Sequence, residues 1–201
     1  MSTEGVDKGR RRLLIAATSV VGAAGAAAVA IPFGLSLQPS ARAKAAGAPV
    51  EADMSKLEPG QRMTVEWRGK PVWVVRRTEQ NLKDLSTLTD SLRDPASTIH
   101  VKGQPGYAVN EARSIKPEFA ILVGICTHLG CAPLYRPAIG SPDVGADWQG
   151  GFFCPCHGSR FDLAGRVFQS VPAPTNLEIP PHHYLSDSII RIGEEATEGA
   201  A

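Results

Sequence analysis

The chain has 201 residues, with 21 lysines and arginines against 20 aspartates and glutamates and a formal net charge of +1. That length holds one domain with additions, and the near-neutral balance gives no sign of nucleic-acid binding. All four cysteines lie in two short segments, which therefore concentrate the chemistry.

Arg10, Arg11 and Arg12 precede a run from Leu13 to Ser40 that contains no charged residue. About 20 apolar residues cross a bilayer, so residues 13–39 read as a transmembrane anchor and residues 1–12 as a cytoplasmic N-terminus, the basic side staying inside. Arg10-Arg11-Arg12-Leu13-Leu14 also matches a twin-arginine export signal. Ala41-Arg42-Ala43 resembles a small-x-small cleavage site, but the uncharged run is long for a signal-peptide core, and retention as an anchor is the favoured reading. Gly22, Gly25, Gly34 and Pro32 weaken helix propensity and predict a slightly kinked helix, since lipid leaves the backbone only its own hydrogen bonds. Residues 40–50, with Gly47 and Pro49, read as a small-residue tether.

Residues 51–193 read as an antiparallel β head domain. Met63, Val65 and Trp67 alternate with polar neighbours as in a half-buried strand. Arg68-Gly69-Lys70-Pro71 then turns the chain into a return strand, Val72 to Val75. Leu82, Leu85, Leu88 and Leu92 recur at helical spacing until Asp94-Pro95. Phe119 to Val123 and Gly151 to Phe153 read as short strands that each deliver a cysteine-bearing loop. Ala132 to Gly150, rich in Pro, Gly and Asp, reads as a surface excursion. Phe161-Asp162 and Arg166-Val167-Phe168 flank a turn at Leu163 to Gly165. Leu177 to Ile179 and Ser188 to Ile192 are expected to close the sheet, with residues 194–201 a disordered tail.

The two loops read Cys126-Thr127-His128-Leu129-Gly130-Cys131 and Cys154-Pro155-Cys156-His157-Gly158-Ser159. This pattern closely resembles the Rieske iron–sulfur proteins. The resemblance implies a single 2Fe-2S cluster, with Cys126 and Cys154 on the inner iron and His128 and His157 on the outer one. It also implies a disulfide between Cys131 and Cys156, which points to the high-potential respiratory branch and fits an oxidising compartment. By the same resemblance Ser159 donates to a cluster sulfide, Leu129 limits water access to the iron, and Val171-Pro172-Ala173-Pro174 is a proline loop covering the cluster. The cluster-binding part then spans about residues 119–175. Phe161 stands where many members carry a tyrosine that donates to a ligand sulfur, which predicts a lower potential here. A Cys2His2 zinc site is the alternative for the same residue types, but it leaves Gly130, Pro155, Gly158 and Ser159 without a purpose. His100, His182 and His183 lie outside both loops and are read as surface or packing residues.

Carried to function, the resemblance implies the electron-transfer subunit of a bacterial cytochrome bc1 complex in the inner membrane, with its head in the periplasm. Its partners are then ubiquinol, cytochrome b and a c-type cytochrome. His157 is the residue expected to meet the quinol, and the tether at residues 40–50 is the hinge on which the head swings. Export of a folded protein by the twin-arginine route suits a cluster assembled in the cytoplasm. The alternatives are a periplasmic Rieske subunit of another oxidoreductase, such as arsenite oxidase, or a zinc-stabilised interaction module.

Overall fold

The computed structural model describes residues 5, 7–99 and 104–196; His100 and residues 197–201 of the predicted tail lie outside them. The chain divides into two units, Met1–Ala45 and Ala46–Ala201.

The first unit is dominated by helix α1, Lys8–Ser36, which continues through Pro32 as one element of 29 residues. Asp7 caps it, its carboxylate accepting the N–H groups of Gly9 at 2.9 Å and Arg10 at 3.2 Å, donors that the first turn otherwise leaves unpaired. At 1.5 Å per residue the helix is about 43 Å long, enough to cross a hydrocarbon core of about 30 Å. None of its residues is buried, so its apolar surface needs lipid or another apolar partner to cover it. A second helix, α2, spans Ala41–Ala46. The predicted tether is therefore helical over its first half, started by Ser40 accepting the Ala43 N–H, and the break in regular structure falls at residues 47–49.

The second unit is mainly β, as the alternation predicts. Its strands are β1 (Val50–Asp53), β2 (Arg62–Trp67), β3 (Lys70–Arg76), β4 (Phe119–Val123), β5 (Leu134–Arg136), β6 (Gly151–Phe153), β7 (Arg160–Phe161), β8 (His182–Tyr184) and β9 (Ile189–Ile192). They form three antiparallel sheets of three strands, ordered β1-β9-β8, β2-β3-β4 and β5-β6-β7. The hairpin β2-β3 pairs Met63 with Val74 and Val65 with Val72. Strand β4 is buried along its whole length, which accounts for its unbroken apolar run.

Helix α3, Glu79–Thr87, begins at a capping box in which Thr78 and Asn81 exchange side-chain and backbone hydrogen bonds. It stops earlier than the leucine spacing suggests. Leu88 and Leu92 are buried, but they sit on either side of a 3-10 turn at Thr89–Ser91.

Two readings are corrected. The excursion from 132 to 150 contains strand β5 and the buried Trp148, whose indole N–H donates to the Arg136 carbonyl at 2.8 Å. Leu177 and Ile179 are buried, but 177–179 is not a strand; the Val123 N–H donates to the Glu178 carbonyl there. The sheet is closed instead by β8, which contains His182 and His183, with His182 buried as a packing residue. One core joins Trp73, Val75, Leu122 and Phe152 to Cys126, Cys154 and Phe161. Trp73 stacks on Phe152, with ring centroids 5.0 Å apart, and this contact ties the sheet of β3 to that of β6 behind the two free cysteines.

Candidate metal centre

The two cysteine loops share one backbone plan. In the first, which follows β4, the Cys126 N–H donates to the Cys131 carbonyl at 2.7 Å, and the Gly130 N–H donates to the Cys126 carbonyl at 3.0 Å. In the second, between β6 and β7, the Cys154 N–H donates to the Ser159 carbonyl at 2.8 Å, and the Gly158 N–H to the Cys154 carbonyl at 2.9 Å. Each loop closes through a glycine at positive φ, +84° at Gly130 and +77° at Gly158, a conformation that costs a residue with a Cβ.

This plan sorts the side chains by depth. Cys126 and Cys154 are free thiols, each only 2% exposed. His128 is half-buried and His157 exposed, and their rings meet edge to face with centroids 4.8 Å apart. Burial pushes the Cys126 thiol above its ordinary pKa, a backbone hydrogen bond from His128 lowers it, and the neighbouring Cys154 raises it. The predicted disulfide between Cys131 and Cys156 is present, with Cα atoms 6.7 Å apart, and joins the two loops. The sulfurs of Cys131, Cys154 and Cys156 lie within 4.8 Å of one another, but two of them are consumed by that bond and only Cys154 remains a donor. The threonine hydroxyl of Thr127 donates to the Thr175 carbonyl at 2.7 Å and fastens the first loop to the chain beyond the proline loop.

Two buried thiols side by side beneath two outward imidazoles fit a 2Fe-2S cluster that takes cysteine on one iron and histidine on the other. Zinc would accept the same elements, but it demands no such separation of sulfur from nitrogen by depth. Ser159 is buried, its hydroxyl oxygen accepts the Ala173 N–H at 3.0 Å, and its side chain acts to lower the pKa of the neighbouring Cys126 thiol. Leu129 is 71% exposed, so it stands out into solvent beside the imidazoles. Phe161 is buried in the same core as the two free cysteines.

Several residues that build the site carry no motif. Arg77, Arg113 and Arg166 are buried and bond backbone carbonyls, Arg77 to Ala112 and Pro117, Arg113 to Ala164, Gly165 and Leu177, and Arg166 to Leu85. Burial lowers the pKa of Arg77 and of Arg113 to about 10. Asn176 receives the Val167 N–H and donates to the Asp94 carbonyl and to Ser97.

Comparison with known proteins agrees with this geometry. The Rieske [2Fe-2S] domain model matches residues 48–181, and a model described as the ubiquinol-cytochrome c reductase Fe-S subunit TAT signal matches residues 1–40. The chain is 63% identical over 195 residues to the ubiquinol-cytochrome c reductase iron-sulfur subunit of Allochromatium vinosum, covering 97% of this chain and 93% of that one. It is 41% identical over 197 residues to the same subunit of Blastochloris viridis, covering 96% and 97%. Among solved structures, a chain of a hyperthermophilic respiratory complex III is similar at 28% identity and a TM-score of 0.48, covering 89% of this chain and 98% of that one. The apolar helix and the export-signal match together mark a membrane-anchored protein. With a domain model spanning both cysteine loops and relatives matched along nearly their whole length, this chain belongs to the Rieske [2Fe-2S] protein family.

Proposed function

We propose that the protein is the electron-transfer subunit of a quinol–cytochrome c reductase of the cytochrome bc1 type, held to the inner membrane by residues 13–39 with residues 1–12 in the cytoplasm and the head in the periplasm. The observation that carries this reading is the layering of the site, sealed thiols beneath two accessible imidazoles. The two iron-sulfur subunits described above, matched over anchor and head alike, support it.

Cys126 and Cys154 would hold the inner iron of the cluster, and His128 and His157 the outer one. When bound, the cluster supplies a one-electron acceptor of higher potential than an all-cysteine centre, because two neutral imidazoles replace two thiolates. His157, the more exposed ring, accepts a hydrogen bond from ubiquinol held by cytochrome b and takes its proton. Leu129 lies beside that contact and completes the exclusion of water once a partner covers it. Ser159 directs its hydroxyl proton to sulfur, and the proline loop at 171–174 covers the pair of ligand loops. The segment 40–50 acts as the hinge that carries the head from cytochrome b to a c-type cytochrome, bending at residues 47–49.

The test is an EPR spectrum and a potentiometric titration of the full-length protein in detergent across a range of pH. A low average g-value with a high, pH-dependent midpoint supports the reading. A zinc-loaded, EPR-silent protein, or a cluster of low and pH-independent potential, overturns it.

A further inference from the structure

In the run Val171-Pro172-Ala173-Pro174, the two prolines have no N–H, so Ala173 supplies the one backbone donor of the Pro-Ala-Pro tripeptide. Val171 and Ala173 both precede a proline and are held to extended conformations. The loop is therefore stiff within itself, and its placement depends on what grips its ends.

That grip comes from Arg93. Its guanidinium forks onto the loop, Nη1 donating to the Ala173 carbonyl at 2.9 Å and Nη2 to the Val171 carbonyl at 3.1 Å. The base of Arg93 is fixed in turn, its N–H donating to the Val167 carbonyl at 2.9 Å, next to a bridge between Leu92 and Phe168. Held in this way, Ala173 aims its N–H at the Ser159 hydroxyl oxygen, 3.0 Å away and sealed from solvent. A serine hydroxyl has one proton and rotates to suit its surroundings. An amide donor on its oxygen leaves that proton to be given elsewhere, and here the available acceptor is sulfur.

We infer that Arg93 is a positioning residue for the redox centre: by clamping the Val171 and Ala173 carbonyls it fixes the Ala173 N–H on Ser159 and so orients the Ser159 hydroxyl toward the cluster. This rests on the ligand assignment proposed above. Without the clamp the loop loosens, the serine rotor gains other orientations, and the reduced state loses part of a stabilising hydrogen bond.

The experiment is a double-mutant cycle on midpoint potential, using the full-length protein in detergent: parent, Arg93→Met, Ser159→Ala and the double variant. Arg93→Met is expected to shift the equilibrium about threefold toward the oxidised form, or about 28 mV for a one-electron couple at 59 mV per tenfold. In the Ser159→Ala background the same substitution is expected to leave the potential unchanged. An equal shift in both backgrounds means that the guanidinium charge acts directly and overturns the inference, as does no shift in the parent background. If Arg93→Met does not retain cluster, Arg93→Lys replaces it in the cycle, because an ammonium keeps the charge but lacks the planar fork; a shift of the same sign that vanishes with Ser159→Ala is again required. The parent's EPR signal tests the ligands separately. Its absence defeats the proposed function and this inference with it, whereas its presence without a Ser159-dependent shift defeats the positioning role alone.

Discussion

Asp162 and Arg166 face each other across a hairpin with no access to water: Arg166 Nε donates to Asp162 Oδ2 at 2.7 Å, and neither side chain is more than 1% exposed. The other carboxylate oxygen accepts the N–H groups of Ala164 and Arg166, and the guanidinium reaches the Leu85 carbonyl at 2.7 Å. One ion pair thus joins the strand leaving the second ligand loop to the end of helix α3.

Asp162→Asn should leave the buried Arg166 charge with only the half-exposed Glu111 carboxylate, 4.0 Å away, as a counter-charge. Breaking a buried pair from one side costs about 3–5 kcal/mol. Urea unfolding at neutral pH should show a loss of that order, and a loss below about 1 kcal/mol would show the pair to be dispensable.

His182 predicts a pH dependence that is independent of the metal centre. Its Nδ1 lies 2.8 Å from the Pro180 carbonyl and 3.1 Å from the Tyr107 hydroxyl, while Nε2 is buried and has no partner among the described residues. Burial lowers its pKa from 6.5 to about 4, with the neighbouring His183 acting in the same direction. The unfolded chain therefore binds the proton more readily, so this contribution to stability is complete above about pH 6.5 and is lost as pH falls toward 4. Its full size is about 3 kcal/mol. His182→Gln should remove that increment, so that the stability difference between parent and variant changes between pH 7 and pH 4; a constant difference would refute the assignment.

The bridge between Cys131 and Cys156 closes a separation of 25 residues, which by chain entropy contributes about 3 kcal/mol. It also joins the two ligand loops directly. Cys131→Ser or Cys156→Ser should lose cluster or lower its potential, and unchanged visible spectrum, potential and melting point together would count against that role.

Phe161 is buried in the same core as Cys126 and Cys154. A tyrosine hydroxyl added there would be a donor beside the sulfurs proposed to hold the cluster. A net hydrogen bond of about 1 kcal/mol corresponds to a rise of about 40 mV for a one-electron couple. Phe161→Tyr should raise the midpoint by that order, and redox titration of the two proteins decides it.

The ligand loops and the strands that deliver them were legible because their signals are local: short apolar runs at Phe119–Val123 and Gly151–Phe153, and two spaced sets of Cys, His and Gly. What supports them was not. Arg113 and Arg166 look in sequence like surface cations but are buried, Arg93 is exposed yet grips the chain, and the carbonyl partners of all three lie 51 to 81 residues away. Trp148 sits in a polar, Pro- and Gly-rich stretch whose composition hides a buried anchor. Strand β8 was masked by two histidines, which carry no strand signal until Tyr107 and Pro180 provide partners for His182 and the Glu194 carbonyl one for His183.

The shared plan of the two loops separates scaffold from reagent. Counting from Cys126 and Cys154, the second position holds His128 in one loop and Cys156 in the other, the third holds Leu129 and His157, and the fifth holds Cys131 and Ser159. The same backbone socket therefore presents an imidazole, a bridging sulfur or an apolar contact according to which offset is filled. The difference between the two loops thus lies in their side chains, while the backbone hydrogen bonds and the glycine that closes each loop are the same in both.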